Sequence, residues 1–209
     1  VMLMTGQYPN RTGFTYLISK KRGARLPASL KTIGAYFKEA GYKTAIAGKW
    51  QLGQLDEFSR QPEEHGFNEH CLWKWRYESK ISSRYWAPGI VCNSQSVETG
   101  PEDFGPDMYT DFILDFIEKN RDEPFLVFFP MALAHKPFTP PPGNKDVATS
   151  RYTEGMNKAT KLYGRMITYM DMLVGRIVDK VDELGLAERT LVIFTGDNGS
   201  PKEVISRLG

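Results

Sequence analysis

Four side chains able to do chemistry follow three short apolar runs of the chain. The runs are residues 44–47, 125–134 and 191–194. Lys49 follows the first run after one glycine, His135 follows the second directly, and Asp197 and Asn198 follow the third. A lysine ammonium binds an anion, an imidazole transfers a proton, and carboxylate and amide oxygens bind hard metal ions. The spacing therefore indicates a site for an anionic group and a hard metal ion.

Elements of an α/β fold are predicted to position these side chains. Each run is β-branched or aromatic and follows a stretch with helical periodicity, so we expect three buried parallel strands. In open α/β sheets, ligands bind at the carboxyl ends of the strands. The predicted helices span about 27–40, 107–120 and 162–184, and Gly41 and Gly185 are placed to end the first and the third. Residues 53–106 lack periodicity and are predicted to leave the sheet as an irregular excursion with a short hairpin of its own.

Composition excludes some classes of function. The 209 residues are 41% hydrophobic and carry 27 Lys and Arg against 25 Asp and Glu, with no basic tract longer than residues 20–22, so nucleic acid is not an expected partner. No apolar run is long enough to span a membrane, and no signal peptide is visible. The two cysteines, Cys71 and Cys92, allow either one disulfide or two thiols.

Each candidate residue also has a purely structural interpretation. A lysine after a strand is usually solvated, and a histidine at the end of an apolar run is as often structural as catalytic. Asp-Asn-Gly is an ordinary turn sequence. For His65 and His70, which flank Gly66-Phe67, the structural interpretation is favoured.

Six stretches of the chain are informative when their order and spacing are considered together. They are Met4-Thr5-Gly6, Gly41-Tyr42-Lys43-Thr44-Ala45, Gly48-Lys49-Trp50-Gln51-Leu52-Gly53, Gly66-Phe67-Asn68, His135-Lys136-Pro137-Phe138, and the run from Tyr169 to Asp197-Asn198-Gly199. In order and spacing they resemble the sulfatase family of the alkaline-phosphatase superfamily, whose enzymes use a formylglycine nucleophile. The resemblance implies a three-layer α/β/α sandwich with a mostly parallel sheet, incomplete at both ends. Residues 1–209 would be a partial sulfatase catalytic domain with an irregular insertion at about 53–106.

The resemblance also implies roles for five residues. Lys49 matches the lysine that contacts the sulfate, and His135 the histidine near the sulfate and the leaving oxygen. Asp197 and Asn198 match two ligands of Ca²⁺, with Mg²⁺ a less expected ion. Gln51 stands where the family usually has a histidine, and an amide cannot exchange a proton near neutral pH. The formylglycine precursor is expected upstream of Val1, so these residues alone are expected to be inactive.

The resulting hypothesis is a sulfatase that hydrolyses a sulfate monoester, with a sulfated carbohydrate as the favoured substrate. A non-catalytic sulfated-glycan-binding homologue and a phosphatase, phosphodiesterase or phosphonate hydrolase sibling are alternatives. Six residues of the excursion either stack on sugar rings or pack the loop: Trp73, Trp75, Arg76, Tyr77, Tyr85 and Trp86. The expected partner is a sulfated small molecule or glycan, the oligomeric state stays open, and the resemblance implies a periplasmic or secreted protein.

Overall fold

The computed structural model of the chain describes residues 1–15, 23–77, 80–143 and 158–204. The chain divides into two compact units, Val1–Ala132 and Leu133–Gly209. No helix of the described residues is both long and apolar enough to cross a membrane.

The first unit is built on a five-stranded mixed sheet. The strands of the described residues are β1 (Lys43–Lys49), β2 (Glu69–Trp73), β3 (Arg76–Tyr77), β4 (Lys80–Ile81), β5 (Ile90–Cys92), β6 (Gln95–Val97) and β7 (Phe125–Phe128). The sheet order is β6-β5-β2-β1-β7, and β3 pairs with β4 in a separate ribbon. The neighbouring strands β2, β1 and β7 run parallel to one another, and the pairings of β5 with β2 and with β6 are antiparallel. The predicted parallel strands in the runs 44–47 and 125–134 are therefore confirmed, the second only over Phe125–Phe128.

Helices cover both faces of this sheet. The helices are α1 (Met2–Thr5), α2 (Pro9–Thr12), α3 (Ile33–Glu39), α4 (Gln61–Glu64), α5 (Gly105–Lys119) and α6 (Lys158–Glu183), with 3₁₀ turns at Ala187–Arg189 and Lys202–Val204. On one face, Ile46 and Leu72 pack in a core cluster with Ile33 of α3. On the other, Lys119 at the end of α5 pairs with Glu69, whose side chain points opposite to that of Leu72 because strand side chains alternate. The α/β class expected from the sequence is confirmed.

The first long helix begins later than the apolar periodicity predicts. The structure starts it at Ile33 rather than near Pro27, because the Thr32 side chain accepts a hydrogen bond from the Ala35 amide. The Thr32 hydroxyl also donates to the His65 carbonyl, 2.5 Å away. Gly41 does end the segment in the left-handed region, with φ of 87°.

The prediction that residues 53–106 leave the sheet is wrong. This segment contributes β2, β5 and β6, three of the five strands of the main sheet. Their side chains alternate poorly because β2 is buried along most of its length, so the period of two that marks a half-exposed strand is absent. The predicted short hairpin exists, as β5 and β6 joined by Asn93 and Ser94.

The third expected strand does not form. Residues 191–194 belong to no strand of the described residues, and their side chains are 57–82% exposed. A buried strand needs neighbours that bond its backbone and cover its apolar side chains. No described strand pairs with this run.

A disulfide joins Cys71 and Cys92. The two residues lie directly opposite each other on the antiparallel strands β2 and β5. Of the two possibilities that the sequence allows, one disulfide or two thiols, the structure has the disulfide.

Candidate functional site

Lys49 is the last residue of β1, at the carboxyl edge of the sheet. Its backbone N–H donates to the carbonyl oxygen of Pro130, 2.8 Å away, so the end of β1 is tied to the segment after β7. Gly48 has φ of 106°, and a Cβ there would lie 2.5 Å from the same oxygen. Only glycine fits this approach. The Lys49 side chain is half-buried, in accord with its predicted place at the strand end.

A buried glutamine fixes the turn that follows Lys49. Gln61 is 1% exposed and accepts a 2.8 Å hydrogen bond from the Trp50 indole. Its amide nitrogen donates to the carbonyl oxygens of Leu26 and Leu52, at 3.2 and 3.3 Å. One amide therefore connects both sides of the turn to the segment before α3. Sequence reasoning missed Gln61, because nothing in the run Arg60-Gln61-Pro62 distinguishes a buried glutamine from an exposed one.

Gln51 lies between the two anchored residues of this turn. Its φ is 52° and its side chain is half-buried. The neighbours Trp50 and Leu52 are buried at 4% and 7% exposure, so the turn is anchored on both sides of Gln51. The buried side chains of Trp50 and Leu52 therefore hold the backbone at Gln51 in place.

Two of the six excursion residues proposed for sugar stacking are core residues. Trp73 is 3% and Tyr85 is 2% exposed, so neither face is open to a ligand. Trp75 and Trp86 are half-buried and Arg76 is exposed, while the side chain of Tyr77 lies outside the described residues. The packing interpretation is therefore correct for Trp73 and Tyr85. For the other four residues, stacking on a sugar stays a prediction.

His135 lies in the second unit, on the loop after β7. Its side chain is exposed, not semi-buried as the apolar run before it suggests, and Nδ1 lies 2.7 Å from the Lys136 carbonyl oxygen. The run that precedes it forms a strand only to Phe128, and so it does not enclose the ring.

Asp197 and Asn198 are exposed on a turn of the same unit. The Asn198 amide nitrogen donates to Asp197 Oδ1, 3.0 Å away.

The long helix α6 brings the His135 loop and the Asp197 turn together. Tyr163, near the start of α6, packs edge to face against Phe138, with ring centroids 5.6 Å apart. The Tyr163 hydroxyl also lies 3.2 Å from Ser200 Oγ. Lys136 pairs with Glu203, and this hydrogen bond lowers the pKa of the Glu203 carboxyl. Residues far apart in sequence thus meet at one end of α6.

The donor set fits a hard cation only in part. Asp197 and Asn198 offer two hard oxygens, whereas Ca²⁺ takes six to eight. The described residues contain no group of three or more His, Cys, Asp or Glu that could hold a metal ion. Further ligands would have to come from elsewhere in the protein.

The other two histidines have structural roles. The Ser94 N–H donates to His70 Nε2 at 3.0 Å, and burial lowers the pKa of His70 to about 4. His65 Nε2 lies 3.2 Å from the Leu26 carbonyl oxygen, and burial lowers its pKa as well. Both rings are neutral near pH 7 and fully enclosed.

The fold defines an α/β protein with a lysine at the carboxyl edge of its sheet. The family model for sulfatases matches residues 1–204, and the chain belongs to the sulfatase family. It is 29% identical to the N-acetylgalactosamine-6-sulfatase of Mus musculus over 221 residues, which cover 95% of this chain and 40% of that protein. It is 30% identical to the arylsulfatase of Hemicentrotus pulcherrimus over 220 residues, 96% of this chain and 38% of that protein.

Solved structures show the same fold. Ps i-CgsB in complex with k-i-k-neocarrahexaose aligns with a TM-score of 0.74 and 20% identity, over 88% of this chain and 44% of that one. A Bacteroides thetaiotaomicron protein, from work on a locus for the metabolism of multiple glycosaminoglycans, aligns with a TM-score of 0.66 and 19% identity, over 90% of this chain and 49% of that one. The chain spans about two fifths of the length of the curated relatives it matches.

Proposed function

We propose that this chain carries part of the active site of a sulfatase that hydrolyses a sulfate monoester. The observation that carries the proposal is the rigid turn at residues 49–51, which places a lysine at the carboxyl edge of the sheet. A fixed ammonium there stabilises the negative charge of a sulfuryl group without reorganisation. The similarity to an N-acetylgalactosamine-6-sulfatase supports a sulfated carbohydrate as the favoured substrate class.

The proposal assigns one role to each side chain. Lys49 binds the sulfate oxygens, and His135 donates a proton to the alcohol oxygen as it leaves. Asp197 and Asn198 would hold a Ca²⁺ ion, which polarises the sulfate, together with ligands from the rest of the protein. A formylglycine residue would supply the nucleophile. The net reaction is that a sulfate monoester and water give an alcohol and sulfate.

Export from the cytosol belongs to the same proposal. Stable disulfides are typical of oxidising compartments, and the described residues contain no free cysteine. The Cys71–Cys92 bridge therefore supports a periplasmic or secreted protein.

The test is turnover of an aryl sulfate by the intact protein with and without Lys49. We expect Lys49→Ala to lower kcat/KM by about 100-fold or more, as removal of one charge-stabilising donor does. Lys38→Ala, at an exposed lysine of α3, is the matched control and should leave turnover unchanged. Equal loss or no loss in both variants would contradict the role of Lys49, and faster turnover of an aryl phosphate would favour a phosphatase.

Gln51 favours a second candidate, a sulfated-glycan-binding protein without catalysis. An amide at this position donates a hydrogen bond but does not relay a proton. An intact protein that binds a sulfated oligosaccharide and shows no turnover would establish this alternative. Gain of turnover in Gln51→His would show that the site is otherwise complete.

A further inference from the structure

A basic, aromatic segment follows β2 at the carboxyl edge of the sheet. Residues 74–86 contain four of the 27 Lys and Arg of the chain but only one of its 25 Asp and Glu. Four of the thirteen residues of this segment are Trp or Tyr. Positive charge is thus concentrated here in a chain whose total charge is nearly balanced, and such a segment attracts an anionic ligand.

The segment begins beside Lys49. Strands β1 and β2 are parallel, and Lys49 pairs in register with Trp73, the last residue of β2. Neighbouring strands lie about 4.8 Å apart, and consecutive Cα atoms are about 3.8 Å apart. Trp75 follows two residues later, so its Cα lies within about 13 Å of the Lys49 Cα. One oligosaccharide can therefore reach both positions.

Hydrogen bonds fix the backbone at the start of this segment. The Lys74 N–H donates to the Gly89 carbonyl oxygen at 2.8 Å, and the Ser82 N–H donates to the Trp75 carbonyl oxygen at 3.0 Å. Strands β3 and β4 continue this pairing from the next residue, Arg76. The side chains at positions 75 and 76 are therefore presented from a fixed backbone.

The Trp75 ring is half-buried and rests on a buried aromatic support. It packs edge to face against Trp73, with ring centroids 5.3 Å apart. The Trp73 ring is fixed in turn, because its indole N–H donates to the Ser83 carbonyl oxygen at 2.7 Å and the Arg84 guanidinium carbon lies 4.7 Å from its centre. A rigid ring loses little conformational entropy on binding, so Trp75 suits stacking against the apolar face of a sugar.

Arg76 supplies a cation next to that ring. Its side chain is exposed, and Ile81, which lies opposite it in the ribbon, is 69% exposed. The Arg76 guanidinium forms no ion pair with a carboxylate of the described residues, and the one carboxylate of the segment, Glu78, lies outside them. A guanidinium pairs with a carboxylate or a tetrahedral oxyanion through two parallel hydrogen bonds.

We propose that Trp75 and Arg76 form a subsite for the sugar next to the one that carries the scissile sulfate. Trp75 stacks on this sugar, and Arg76 pairs with a second acidic group on it, a sulfate or a carboxylate. The substrate class is therefore an oligosaccharide with at least two acidic groups. This inference rests on the proposed sulfatase function and adds to it two residues that determine specificity and take no part in the chemistry.

Turnover of two kinds of sulfate ester by the intact protein tests the subsite. The aryl ester 4-nitrophenyl sulfate reaches Lys49 but not the subsite, whereas a sulfated disaccharide with a second acidic group reaches both. We expect kcat/KM for the disaccharide to fall about tenfold in Trp75→Ala and about fivefold in Arg76→Gln, with kcat/KM for the aryl ester unchanged. An equal loss on both esters, or no loss on the disaccharide, would overturn the proposal.

Charge and position are controlled separately. The loss in Arg76→Gln should shrink as sodium chloride is added, because exposed charges are screened, and it should vanish for a disaccharide whose only acidic group is the scissile sulfate. A loss of the same size on that disaccharide would refute the ion pair. Arg121→Ala, at an exposed arginine that precedes the amino end of β7, and Tyr36→Ala, at an exposed ring of α3, should leave both esters unaffected.

Calorimetric titration of the same disaccharides separates this inference from the proposed function. Absence of turnover of every sulfate ester would refute the proposed function, yet tighter binding of the disaccharide with two acidic groups, lost in both variants, would still support the subsite. Turnover of 4-nitrophenyl sulfate with equal binding of the two disaccharides would refute the subsite alone. If Trp75→Ala does not fold, Arg76→Gln decides, because that side chain is exposed.

Discussion

Replacement of Gln61 by methionine should loosen the turn that presents Lys49 and Gln51. Methionine has a similar volume but neither donor nor acceptor of comparable strength, so three hydrogen bonds disappear. The Trp50 indole N–H is then buried without a partner, which costs about 1–3 kcal/mol.

The two carbonyl oxygens lose less, because each keeps another partner. The Leu26 oxygen still faces His65 Nε2 at 3.2 Å, and the Leu52 oxygen still accepts from the Leu26 N–H at 2.7 Å. Each lost bond of this kind costs about 0.5–1.5 kcal/mol. The expected destabilisation by Gln61→Met is therefore about 3 kcal/mol in the free energy of unfolding.

Urea unfolding of the intact protein measures this value, and a double-mutant cycle with Trp50→Phe isolates the indole contact. Trp50→Phe removes the donor, so Gln61→Met should cost about 1–2 kcal/mol less in that background than in the parent. Purely additive effects, or a loss below about 0.5 kcal/mol for Gln61→Met, would refute the claim that this amide supports the turn.

Three further changes test the scaffold. Gly48→Ala should destabilise the protein by about 2 kcal/mol or more, because φ of 106° is unfavourable for alanine and its Cβ would lie 2.5 Å from the Pro130 oxygen; thermal unfolding measures it. Cys71→Ser with Cys92→Ser should cost about 3 kcal/mol, the value for a closed loop of this size, and thiol titration of the unfolded parent should find no free cysteine. The folded-state pKa of His70, about 4, lies below its ordinary value, so the unfolded chain binds the proton more tightly. Stability should therefore fall by up to about 3 kcal/mol as pH drops from 6.5 to 4, and His70→Gln should flatten that dependence.

A control variant or a contradicting result accompanies each of these three predictions. Gly143→Ala changes a left-handed glycine with no atom of the described residues within 4 Å of the new Cβ, so it separates the cost of φ from the clash at Gly48. A parent protein whose stability is flat between pH 6.5 and 4 would contradict the neutral burial of His70. Unchanged stability of the double serine variant would show that the disulfide does not stabilise the folded chain.

Local patterns predicted the parts of the fold that depend on local chemistry. The strand at Lys43–Lys49 and the helix at Gly105–Lys119 follow from apolar runs and helical periodicity. The start of α3 was missed because the bond from Ala35 to the Thr32 side chain outweighs the apolar pattern upstream. The central position of β2 was missed because a strand buried on both faces has no alternation to read.

The candidate site also has features that the sequence predicts and features that it does not. Lys49 could be placed at a sheet edge from sequence because a strand end is a local feature. The residues that support this edge could not be predicted. Gln61 bonds Trp50, which is 11 positions away in the sequence, and Leu26, which is 35 positions away. Such contacts are products of tertiary packing, and a polar residue type alone does not reveal them.

Burial was the least predictable property of the candidate residues. Trp73 and Arg84 are types usually found partly exposed, yet both are enclosed, while the apolar run at 191–194 is exposed. For His135 and Asp197 the decisive contacts lie on a third element, because Tyr163 of α6 touches the segments that follow both. Helix α6 therefore contacts two segments that lie more than sixty positions apart in the chain, and holds both at its start.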